Sequence, residues 1–119
     1  MSRVIYEAVT IAINTATSNA IEANGRRVAG IIGPAAWTAG DYSFEIYEPV
    51  AAAWRKVVDN AGALVKITGA ATNASEVMLL PEIADRLLAN RIRVVSTNTA
   101  SEADVNQGAA RSFYVILEE

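Results

Sequence analysis

Residues 41–46, DYSFEI, alternate polar and apolar side chains without a break, in a strand that runs from Asp41 to Tyr47. A period of two is the signature of a strand with one wet face and one dry face, and it cannot sit on a helix of period 3.6. The same signal returns along the chain, cut by turn residues. Residues 4–13, VIYEAVTIAI, are rich in β-branched residues, with Ile5, Val9, Ile11 and Ile13 forming a dry face broken only by Glu7. A short strand is expected around Ala20 to Glu22, followed by the turn dipeptide Asn24-Gly25. RRVAGII, residues 26–32, reads as a strand in which Gly30 marks a bulge or a close backbone approach. Pro49 stops the 41–47 strand. WRKVVDNAGALVKI, residues 54–67, reads as a hairpin with Gly62 at the position needing a positive φ.

Further on, EVMLL (76–80) and RIRVVS (91–96) are short apolar runs, and RSFYVILEE closes the chain with Phe113, Val115 and Leu117 on one face. Only residues 81–90 look helical: Pro81 suits a first turn, Ile83, Leu87 and Leu88 share a face, and Asn90 is a terminator. The expectation is one domain over residues 1–119. It is all-β, an antiparallel β-sandwich of jelly-roll or immunoglobulin-like type, with seven to eight strands and one short helix.

Composition narrows the chemistry. The chain has no cysteine and no histidine, so thiolate chemistry and the usual neutral-pH base are missing. The only lysines, Lys56 and Lys66, read at solvent-facing strand positions. No nucleophile motif or phosphate-cradling glycine loop occurs. Glu45 with Glu48, and Glu102 with Asp104, are close pairs of acids, but their spacing does not converge on a cleft as a glycosidase requires. Asp59-Asn60 and Asp104-Asn106-Gln107 carry oxygens a calcium ion would accept, and are better read as turns. The expectation is a non-enzyme with no cofactor and no metal.

Ten basic and thirteen acidic residues are scattered, for a formal charge of −3, so no nucleic-acid partner is expected. No apolar stretch is long enough to span a membrane, and the first residues lack a signal-peptide pattern. Charged residues make up only 19% of the chain, which favours a protein that hides surface in a homo-oligomer or a lattice. Pro34 and Trp37, in GPAAWTAG, are expected to anchor a loop over one end of the core. Tyr47 and Trp54 are the aromatics best placed for an exposed contact.

Residues 26–47, RRVAGIIGPAAWTAGDYSFEIY, resemble small virion-associated proteins of tailed bacteriophages. Two points carry the likeness: Pro34-Ala35-Ala36-Trp37-Thr38 and Val105-Asn106-Gln107. The chain departs from the family's pattern at Gly108-Ala109-Ala110, and at Tyr47-Glu48-Pro49-Val50 where a Ser-x-Asp-Gly turn is frequent. The resemblance implies a structural virion protein assembled in the host cytoplasm. A capsid decoration or cement protein on the major capsid protein lattice is favoured, as a trimer or other cyclic oligomer. A tail, baseplate or head-fibre component and a carbohydrate-binding module are the alternatives. Expected partner contacts are Ser2, Arg3, Val4, Ile5 and Tyr6 at the N-terminus, Tyr47 and Trp54, and Glu102, Asp104 and Asn106 in the 97–110 loop.

Overall fold

The structure is a computed structural model that describes residues 3–69, 75–80 and 90–119. Its described elements are nine strands: β1 (Val4–Ile11), β2 (Ile21–Glu22), β3 (Arg27–Ile32), β4 (Asp41–Glu48), β5 (Ala53–Lys56), β6 (Lys66–Ile67), β7 (Val77–Leu79), β8 (Arg91–Thr97) and β9 (Arg111–Glu118). The helix expected at 81–90 falls on residues 81–89, which lie outside the described residues.

All strand pairs are antiparallel, in two sheets. Sheet 1 has the order β1-β9-β3-β7. Sheet 2 has β2-β8-β4-β5, with β6 also on β4. β5 and β6 share one edge of β4: β5 faces Glu45 to Glu48 and β6 faces Tyr42 and Ser43. Together they are one edge strand interrupted by the excursion 57–65. The hairpin expected at 54–67 is therefore a small outgrowth of that strand rather than a pair of sheet-building strands. Its tip is the Asp59–Gly62 turn, where the Asp59 carboxylate accepts the Ala61 and Ala63 N–H groups and Gly62 has φ 86°.

The turn chemistry acts where it was expected. Asn24 (φ 54°) and Gly25 (φ 78°) are both left-handed, and the Arg26 N–H closes the turn on the Ala23 carbonyl. That is a type I′ turn, and it carries the chain from β2 in sheet 2 to β3 in sheet 1. Gly30 sits at the register shift between β3 and β9, and a Cβ there would lie 2.3 Å from the Met78 carbonyl oxygen. Only glycine lets β7 come this close.

The inner faces of the two sheets share one core. Val9, Ile31, Phe113 and Val115 come from sheet 1, and Tyr42, Phe44, Ile92 and Val94 from sheet 2. Ile13, expected on the dry face of the first strand, lies beyond the end of β1 and is exposed. Trp37 is 4% exposed and closes one end of the core. Its ring stacks on Tyr42 at 4.2 Å and meets Phe113 edge-on at 5.9 Å, while its Nε1–H donates to the Gly40 carbonyl. Pro34, at the entry of the same loop, is buried.

The Tyr42 hydroxyl is buried and has no hydrogen-bond partner among the described residues. Burial pushes this phenol well above its ordinary range, with Arg111 pulling weakly the other way. Because the folded state favours the neutral phenol, the stability it protects is present below about pH 10 and is lost as pH rises beyond it. Two outcomes follow for chemical denaturation. Trp37→Ala lowers stability by about 3–5 kcal/mol. Tyr42→Phe raises it by about 1 kcal/mol, since an unsatisfied buried hydroxyl is removed, and shifts alkaline unfolding to higher pH.

Candidate docking surfaces

The outer face of sheet 1 is built by the residues opposite the core on each strand. The registers bring them into two rows across four strands. One row is Tyr6, Ile116, Gly30 and Leu79, and the next is Ala8, Tyr114, Ile32 and Val77. Leu79 is 72% exposed, Val77 60% and Tyr6 58%, with Val4 and Tyr114 nearly half exposed. In the middle of the first row Ile116 is buried, at 8% exposed, and Gly30 is buried too, with the Met78 carbonyl oxygen standing where a Cβ would be. Polar pairs close the face at both ends: Arg27 with Glu118, and Thr10 with Ser112. Exposed apolar side chains thus surround a buried centre, a surface of the kind that often marks an interaction site. An apolar centre with a polar rim is also the layout of protein interfaces.

The outer face of sheet 2 differs. Asp41, Ser43 and Glu45, expected on the wet face of the 41–47 strand, are all buried. They point away from the core, but neighbouring side chains and loops roof them. Asp41 Oδ1 accepts from the Gly69 N–H and the Thr99 hydroxyl, and Lys66 Nζ makes an ion pair with Oδ2 at 2.9 Å. Lys66 is thus a partner of a buried carboxylate rather than a solvated strand residue. Glu45 takes the Arg93 guanidinium on one oxygen and faces Lys56 with the other, and Lys56 reaches on to Asp104.

Tyr47 and Trp54 are directly opposed on β4 and β5, half-buried, with their rings edge to face at 5.4 Å. Arg93 lies over the Trp54 ring at 4.4 Å and Arg91 over Tyr47 at 5.5 Å. A guanidinium therefore takes one of the two faces each ring could offer for stacking. Glu48, beyond Tyr47, accepts the Ala51 N–H, which together with Arg55 holds its carboxyl below the usual range.

A third cluster joins the loops at the Trp37 end. Gln107 is fully buried and its amide is completely used. Oε1 accepts the Thr38 N–H and the Arg111 Nε–H, while Nε2 donates to the Thr38 carbonyl and the Ser96 hydroxyl. Its backbone bonds the 14–15 turn from both sides. The two segments that carry the phage resemblance, 34–38 and 105–107, therefore meet through a pair of amide hydrogen bonds. Beside them, Pro34, Ala35, Ala36, Ala110, Arg111 and Ser112 line a shallow depression of about 340 Å³.

The expected contact residues do not form one site. Ser2 lies outside the described residues. Val4 and Tyr6 are on the bare face of sheet 1. Ile5 turns toward the core, and Arg3 precedes β1 in an exposed position. Tyr47, Trp54 and Asp104 belong to the roofed side of sheet 2. Glu102 and Asn106 are exposed in the 98–110 loop, Glu102 with φ 60°. Sequence reasoning missed Tyr114, Val77 and Leu79. The signal was there in β9: Tyr114 and Ile116 are apolar on the face opposite Phe113 and Val115, so that strand is apolar on both sides.

No family model, curated protein or solved structure matches this chain.

Because Tyr6 and Leu79 project from the surface, replacing each by serine should change unfolding free energy by no more than about 1 kcal/mol. The same pair of substitutions should clearly reduce binding of a hydrophobic dye to the native protein. Unchanged dye binding would mean that the face is not open in solution.

Proposed function

We propose that this protein is a non-enzymatic structural component of a bacteriophage virion, with a decoration or cement protein on the major capsid protein lattice as the favoured role. The observation that carries the reading is the group of exposed apolar side chains on the outer face of sheet 1, Tyr6, Tyr114, Val77 and Leu79. A subunit with this face exposed needs a partner, and a repeating lattice of apolar and polar patches supplies one. Docking through this face would stabilise the head by spanning neighbouring capsid subunits. Many copies, each making modest contacts, would add up by avidity.

The fold reading that accompanies it is a jelly-roll sandwich. Taking β5 and β6 as one interrupted strand leaves eight. The first then pairs with the last, the second with the seventh, the third with the sixth and the fourth with the fifth. The last strand also meets the third and the seventh meets the fourth. This is one long antiparallel ribbon folded over on itself, the plan of the double-sheet jelly roll used by viral capsid proteins among others. An immunoglobulin-like sandwich would divide its strands differently between the sheets.

A tail, baseplate or head-fibre role would use the same apolar face at lower copy number. The carbohydrate-binding alternative is weakened by the guanidinium groups over Tyr47 and Trp54. Quantitative mass spectrometry of purified virions tests the reading. A copy number close to that of the major capsid protein is expected. A handful of copies would move the protein to the tail or a fibre, and absence from the particle would discard the virion reading. A second check is attachment to capsids lacking the protein: Leu79→Ser with Tyr114→Ser should weaken it by about tenfold or more.

A further inference from the structure

β1 is an edge strand of sheet 1, and its backbone pattern shows which groups are free. The Glu119 N–H donates to the Arg3 carbonyl, so Arg3, and by alternation Ile5, Glu7 and Val9, turn their backbone groups toward β9. Thr10 faces the other way: its N–H donates to Asn19 Oδ1 and its carbonyl accepts the Asn19 N–H. The N–H and C=O groups of Val4, Tyr6 and Ala8 therefore point off the edge. Among the described residues they have no hydrogen-bond partner. Six such groups in a row form a template for another strand.

The charges beside that edge are self-complementary. Of the described cations, only Arg3 and Arg111 lack a carboxylate partner, and Arg111 is engaged by Gln107 and Thr38. Glu7 also makes no ion pair among the described residues. Arg3 and Glu7 project on the same side of the strand but are four residues apart, roughly 13 Å, too far to meet within one chain. A single inward-pointing charge can guard an edge against pairing. Here the guard comes with its opposite.

We propose that two copies of this chain join by antiparallel β1–β1 pairing on a two-fold axis through Ile5. Val4 then forms a hydrogen-bonded pair with Tyr6 of the second copy. Arg3 lies opposite Glu7 of the second copy, twice over by symmetry, in the non-hydrogen-bonded positions where side chains approach most closely. Only this register satisfies both requirements. An axis at Tyr6 sets Glu7 against Ile5 and Arg3 against Val9. An axis at Glu7 sets two carboxylates face to face, and one at Val4 leaves both charges unmatched. The dimer merges two sheets into one of eight strands and runs the apolar outer face continuously across the seam. A two-fold dimer is one of the cyclic oligomers the sequence reading allowed beside the trimer it favoured, and it holds whether or not the protein acts on a virion.

The test uses the absence of native cysteine. Ile5→Cys places a single thiol on the axis, with Cα atoms about 4.5 Å apart, within disulfide reach. Under mild oxidation it should give a covalent dimer, while Ala8→Cys, far from the axis, should not. Sedimentation equilibrium should show a dimer of the native chain. Arg3→Glu or Glu7→Arg alone should weaken it by about tenfold, and the double swap should restore it. A monomeric native chain would overturn the proposal and leave Glu7 as an edge guard. A trimer, equal cross-linking at positions 5 and 8, or no rescue by the double swap would overturn it as well.

Discussion

Sheet 1 exists only because β9, the last strand, lies between β1 and β3. An eight-residue ladder, Val4–Ile11 against Arg111–Glu118, joins the two ends of the chain, and the other edge of β9 receives β3. β8 plays the same part in sheet 2, between β2 and β4. The fold is therefore held by pairings between residues far apart in sequence. Each costs loop-closure entropy before any apolar burial rewards it, so slow folding is the expectation for this topology.

The loops at the Trp37 end turn those paired strands into a closed core. Trp37, Tyr42 and Phe113 come from a loop, from sheet 2 and from sheet 1, and their rings make one three-way contact. Gln107 fastens the same loop from outside the ring cluster. A buried primary amide is costly unless every donor and acceptor is matched, and here each one is. Apolar burial and a fully satisfied polar clasp thus act on one eight-residue loop from two sides.

The two outer faces show how similar strands come to different ends. On sheet 2, Asp41 and Glu45 are roofed by Lys66, Thr99, Lys56 and Arg93, so charge is matched within the chain. On sheet 1 no comparable roof stands over Tyr6, Tyr114 and Leu79 among the described residues. The same sheet carries an edge whose backbone groups and flanking charges are unmatched among the described residues. That contrast between the two outer faces is the physical basis for looking outward from sheet 1 for partners.

By itself, the sequence determined most of the strands, the inner faces of β4 and β9, and the principal turns. Phe113, Val115 and Leu117 alternate, Asn24-Gly25 and Gly62 accept positive φ, Pro49 ends a strand, and Gly30 permits a close approach; each is a local property of a few residues. The tertiary structure alone decided which strands pair, that β5 and β6 are one edge, that Asp41 and Glu45 are buried, and that Gln107 meets Thr38. Period-two alternation says which side chains share a face but not what that face meets. Backbone hydrogen bonds carry no sequence label, so strand order, and with it the bare face of sheet 1, is written only in long-range packing.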